Sequence, residues 1–204
     1  MKHPLLLLFL IALVSCKQEN DLLQYKKQFD QELKPWTNSF CHFNLANFKK
    51  GKTLPFEKGS PQDFASYKEF ISTYKPILNF QHDSSKFIDL YTAQLNLVKV
   101  GDLYEANADD GGAVLLCDPE TKFWDRICYS SPGEWFEEAI WVSKTKFILV
   151  GITKPSGETM EPYILVGDTE KRTLDQYLST NSKCFQHDPY YSSPKMKRIH
   201  MGEL

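Results

Sequence analysis

The chain has 204 residues, with 24 Lys and Arg against 26 Asp and Glu and a formal net charge of −2. A balance this close to neutrality argues against the clustered basic face that nucleic acid requires, and the length is that of one domain. Fourteen Phe, ten Tyr and four Trp supply enough aromatic surface for a sizeable core.

The chain opens with Met1-Lys2-His3 and an apolar run from Leu5 to Val14, then Ser15 and Cys16. A basic start, an apolar stretch and a small residue are the order of a secretory signal. The run is too short for a bilayer, which needs roughly 20 residues. Leu13-Val14-Ser15-Cys16 resembles the lipobox of bacterial lipoproteins. The polar run Lys17-Gln18-Glu19-Asn20-Asp21 resembles the charged segment found behind it in Bacteroidota lipoproteins. The resemblance implies cleavage before Cys16 and a diacylglyceryl group on its thiol. Residues 1–15 would then be a leader and 16–21 a lipidated tether. Two or more acyl chains hold a protein stably at a membrane. Lys17, rather than Asp, follows Cys16; in this family that implies the outer membrane, with the protein facing the periplasm or the cell surface.

Four further cysteines follow: Cys41, Cys117, Cys128 and Cys184. An exported compartment permits disulfides. The wide spacing selects none of the three pairings, and it lacks the paired C-x-x-C units of a zinc site. Buried free thiols account for them equally well.

Leu22, Leu23, Tyr25, Lys26, Phe29 and Leu33 recur at near-helical spacing, which predicts a first helix ending near Lys34, before Pro35. Residues 49–59, rich in Lys, Gly and Pro, read as a loop. Ser60-Pro61-Gln62-Asp63 carries a cap, a first-turn proline and an early acid. It predicts a second helix with Phe64, Tyr67, Phe70, Ile71 and Tyr74 on its apolar face, closed by Pro76. Strands are predicted at Phe87–Tyr91, Ala113–Cys117, Phe123–Tyr129, Ala139–Ser143, Lys146–Ile152, Tyr163–Val166 and Leu174–Leu178. Polar turns at Asp109–Gly112, Asp118–Thr121, Lys144-Thr145 and Pro155–Glu158 separate them. The strands from Ile140 to Val166 resemble the meander of one β-propeller blade, though a complete propeller needs more strands. The expectation is an α+β domain over residues 22–178: two N-terminal helices packed on an antiparallel β-meander of about six to eight strands. Phe147–Val150 and Tyr163–Val166 would be central strands covered on both faces. Residues 179–204 form a polar tail whose aromatics could dock back on the sheet.

Motifs for catalysis are thin. Ser143-Lys144-Thr145-Lys146 matches S-x-x-K, but that chemistry needs a helix start and companion elements absent here. Glu105, Asn107, Asp109 and Asp110 fail the calcium-loop register and read as a turn or solvated loop. His42, His82 and His187 lack the close spacing of metal ligands and read as surface or loop histidines. Glu134, Glu137 and Glu138 beside Trp135 read as a charged loop before a strand, although a carboxylate pair across a cleft is the alternative. Trp141, flanked by Ile140 and Val142, belongs in the core. Trp124 and Trp135 are the candidate binding aromatics, able to stack on a sugar or anchor a protein. Alternation places Trp124 on one strand face with Arg126 and Cys128.

The sequence therefore predicts a lipid-anchored, non-enzymatic binding module of the Gram-negative envelope. Its partners would be the membrane through the lipid, and an envelope protein or glycan; no catalytic residue, metal or cofactor is assigned. The alternative is a small envelope hydrolase with a site of scattered carboxylates and histidines. Substituting Cys16→Ala should abolish palmitate labelling in the native host and move the protein into soluble fractions; a mature soluble form with an intact N-terminus would contradict acylation.

Overall fold

In a computed structural model of the chain, the described residues are 20–57, 60–61, 67–93, 95–101, 103–108, 112–130, 133–154, 160–180 and 187–199. Cys16, Cys184, the residues after Pro61 in the predicted helix cap, Asp109–Gly111 and the turn at Pro155–Glu158 lie outside them. The described chain is mostly antiparallel β-structure with a few short helices, which is α+β in its coarse form. The strands form two five-stranded sheets rather than one meander, plus a separate two-stranded hairpin, among the described residues.

The first sheet contains β1 (Phe48–Pro55), β9 (Glu134–Trp141), β10 (Lys146–Thr153), β11 (Glu161–Asp168) and β12 (Thr173–Ser179), in the order β1-β12-β11-β10-β9. Strands β9 to β12 are a simple meander. The second contains β2 (Ser60–Pro61), β3 (Asn79–Phe80), β4 (Phe87–Asp89), β7 (Ala113–Asp118) and β8 (Phe123–Tyr129), in the order β2-β8-β7-β4-β3. Among the described residues, strands β5 (Leu95–Val100) and β6 (Leu103–Ala108) pair only with each other.

Strand alternation decides what each face meets. Phe147, Leu149 and Leu165 point one way and pack with Ile88, Val114, Leu116 and Ile127 of the second sheet, so the sheets sandwich a common core. Ile148, Val150, Ile164 and Val166 point the other way, onto Leu22, Phe29, Leu33 and Trp36 of the N-terminal segment. The outer face of the second sheet carries Phe87 and Cys117, covered by Tyr67, Phe70 and Ile71 of α3 (Tyr67–Tyr74). (The helices α1 and α2 span Lys26–Gln31 and Lys34–Thr37.) The order of layers is thus helical segment, sheet, sheet, helix. As expected from their apolar runs, β10 and β11 are buried at all six internal positions.

Close backbone approach supports this packing at two glycines. Phe147 faces Gly167 across the β10–β11 ladder, and a Cβ on Gly167 would sit 2.0 Å from its ring. Gly151 lies opposite a β-bulge in β9 where Glu137 is the extra residue; a Cβ there would meet Trp135 O at 1.9 Å.

Several expectations need correction. Pro35 does not end a helix; it lies in the first turn of α2, where its missing N–H would have had no partner. Ser60 and Pro61 pair with Trp124 and Phe123 as strand, so Pro61 is not the first residue of a helix. The Lys-rich stretch read as a loop is the edge strand β1. Its exposed lysines are the usual protection of an edge against further pairing. Asp175 on β12 holds that strand through Lys50 Nζ and Thr53 Oγ1, each at 2.6 Å. The tail docks back: Ile199 and Ser193 are buried, while Tyr190 stays exposed.

Phe147→Ala should cost about 3–5 kcal/mol, the range for deleting a buried aromatic, measured as a fall in the urea midpoint with unchanged slope. Leu178→Ala, at an exposed position, should move the midpoint far less.

Candidate functional site

The bulge in β9 gathers polar groups from the N-terminal helices, the segment after β4 and the C-terminal tail. A bulge leaves one residue out of the ladder and turns its side chain. Here it sends the two neighbouring carboxylates, Glu137 and Glu138, toward the N-terminal helices and the C-terminal tail. Glu137 Oε2 accepts from Trp36 Nε1 at 2.9 Å. Its Oε1 lies 3.2 Å from His187 Nε2, within ion-pair reach but without hydrogen-bond alignment. Glu138 Oε1 accepts from Tyr191 OH at 2.8 Å. The bulge also frees the Glu137 carbonyl, which accepts from Tyr91 OH at 2.5 Å. Tyr91 OH lies 2.9 Å from Ser193 Oγ as well. His187 packs between Phe40 and Tyr191, at 4.9 and 5.7 Å between ring centres.

Burial sets the protonation of the phenols. It raises the Tyr191 pKa, and the Glu138 charge and hydrogen bond raise it further. Burial also raises Tyr91, partly opposed by its bond to Ser193, with Glu138 and Glu137 adding to the rise. Both phenols therefore stay neutral donors at physiological pH. A carboxylate and histidine side by side are the parts of an acid–base pair. Here, however, both oxygens of Glu137 face protein partners, and the His187 side chain is only 6% exposed. The arrangement fastens the tail and the N-terminal helices to an edge strand.

The reading of Glu134, Glu137 and Glu138 as a loop is overturned, because the glutamates lie within β9; His187 sits outside the named strands, in a single bridge to Phe40, with its side chain turned inward. His42 and His82 are exposed on turns, as expected. Ser143 Oγ accepts from Lys146 N at 3.0 Å, and Lys146 starts β10; the S-x-x-K match is a turn between strands. Glu105 and Asn107 lie in strand β6 rather than a loop, with Asp109 and Asp110 outside the described residues. Among the described residues, no three His, Cys, Asp or Glu group to hold a metal. No helix among them is long and apolar enough to cross a membrane.

The two candidate aromatics part company. Trp124 is half-buried beneath α3, its ring centre 5.3 Å from that of Phe70. The expected face shared with Cys128 is broken, because a register shift makes Ile127 an extra residue in β8. Arg126 keeps the Trp124 face, where its exposed side chain pairs with Glu57 at 2.5 Å. Trp135 is 45% exposed, with Lys154 Nζ 5.9 Å from its ring centre. Trp141 is in the core as expected, its Nε1 donating to Asn79 O at 2.8 Å.

Cys117 and Cys128 are free thiols. They belong to different clusters on opposite faces of the second sheet, so they do not bridge each other. Burial pushes both thiols upward, with nearby carboxylates adding to the effect. Cys41 is exposed.

Tyr191→Phe removes a donor to a buried carboxylate and should destabilise the fold by about 1.5–3 kcal/mol. Faster tryptic cleavage after Lys195 or Lys197, at native conditions, should accompany the loss. Comparison with known proteins finds no matching family model, no matching curated protein and no matching solved structure, so the functional reading rests on this geometry.

Proposed function

We propose that the chain is a lipid-anchored, non-enzymatic binding module of the bacterial envelope. The anchor is Cys16, and Trp135 is the contact aromatic for a glycan or protein partner. The observation that carries the binding role is the exposure of Trp135 on edge strand β9. A large apolar ring held on a rigid strand, with Lys154 beside it, offers a stacking surface at low entropic cost. The nearby carboxylates Glu137 and Glu138 are engaged with Trp36, His187 and Tyr191, which weakens the hydrolase alternative.

Titration of the full chain with purified envelope polysaccharide and with solubilised envelope proteins tests the reading. Trp135→Ala should weaken the interaction about 30-fold or more, the scale of an interface hot spot of roughly 2 kcal/mol. Trp135→Phe should retain part of it. Equal binding by the wild-type and Trp135→Ala proteins would remove Trp135 from the contact, and turnover of a glycan or peptide would replace the module with an enzyme.

A further inference from the structure

A concavity lies away from strand β9, between α3, the β5–β6 hairpin and the tail. Its volume is about 640 Å³, inside the usual range of roughly 300–1,000 Å³ for small-molecule sites. Its walls combine two chemistries. Lys75, Lys99 and Lys195 line it, and Leu78, Phe80 and Tyr104 supply an apolar floor. No Asp or Glu occurs among the described residues that line it.

The lysines come from three separate segments. Lys75 follows the last turn of α3, with its N–H bonded to Ile71 O at 3.1 Å. Lys99 is paired with Tyr104 in the hairpin ladder, so both side chains leave the same face. Lys195 is in the docked tail and donates from Nζ to Leu78 O at 2.6 Å. A carbonyl accepts a proton bond from an ammonium without neutralising its charge. Lys75 and Lys99 are exposed and form no ion pair among the described residues. Like charges converge on an apolar hollow, and nothing in the described lining compensates Lys75 and Lys99.

We infer that this cleft binds a small amphiphilic anion of the long-chain carboxylate class, its head between Lys75 and Lys99 and its apolar body on Leu78, Phe80 and Tyr104. A bare inorganic anion would leave the floor wet. A neutral apolar molecule would leave Lys75 and Lys99 without a counter-charge. An anionic head on an apolar body satisfies both at once. The inference is independent of any role for Trp135, which lies on the other sheet.

The test is fluorescence titration of the full-length protein with dansyl-labelled undecanoic acid, with its methyl ester as the neutral control. Saturable one-to-one binding of the acid is expected, weakening with added salt, and the ester should bind more weakly. Because both side chains are exposed, the Lys75→Gln/Lys99→Gln double variant should fold normally. It should bind the acid roughly 3- to 10-fold more weakly, as two partly exposed charge contacts allow. A Lys27→Gln/Lys49→Gln variant makes the same change in net charge at exposed positions elsewhere and should bind as the wild type does. Equal binding of acid and ester, equal loss in both double variants, or displacement by inorganic phosphate as effective as by octanoate would each overturn the inference. So would binding seen only with phosphatidylglycerol vesicles and never with the monomeric acid, which would point to surface adsorption through the exposed Val98, Val100 and Leu103.

Discussion

Strands β10 and β11 have no face turned toward water, and most of the architecture answers to that. A strand whose side chains are apolar on both sides needs a cover on each. Phe147, Leu149 and Leu165 find theirs in the second sheet, and Ile148, Val150 and Ile164 find theirs in the N-terminal helical segment. The second sheet then has an outer face of its own, which α3 covers through Phe70 and Tyr67. Fully burying one such side chain is worth about 1.5–3 kcal/mol, so the central pair dictates where the flanking layers go.

The inter-sheet seam also carries a polar tie. Arg172, in the turn before β12, reaches across to Asp125 on β8 with two bonds of 2.6 and 3.0 Å. Its backbone adopts φ 54°, and so does that of Lys122 in the turn before β8. The two turns share one construction. Asp118 Oδ1 accepts from Glu120 N and Thr121 N, and Asp168 Oδ1 accepts from Glu170 N and Lys171 N. Each carboxylate caps the backbone of its own turn, and each turn hands the chain to a strand bearing an engaged aspartate: Asp125 with Arg172, and Asp175 with Lys50.

Where the sequence is locally self-consistent, it is readable. The runs at Phe147–Val150 and Tyr163–Val166 and the turn chemistry of Asp118–Thr121 each point to one structure, which the chain adopts. The Lys-rich β1 and the acidic beginning of β9 are strands for reasons their own residues do not display. β1 is fixed by its pairing with β12, and the Glu-rich part of β9 is tolerated because tail and helix residues satisfy its carboxylates. Pro35 has two opposite helical meanings, and only tertiary packing chooses between them. Bulges are invisible to a period-two reading, so the one at Ile127 misplaces Cys128 and the one at Glu137 hides the cluster it creates. The lysine-lined cleft draws on α3, the segment after it, the hairpin and the tail, a juxtaposition that no local pattern encodes.

The union of β1 with β12 has a kinetic side. Thr53 meets Asp175 across a sequence separation of 122 residues, so β1 waits for a strand made long after it. Closing so long a loop is slow compared with forming local hairpins. Until β12 arrives, the outer edge of the first sheet has no mate and the N-terminal helices have an incomplete platform. A nascent chain of this design gains its full cooperative stability only after β12 is made, and it stays threadable until then.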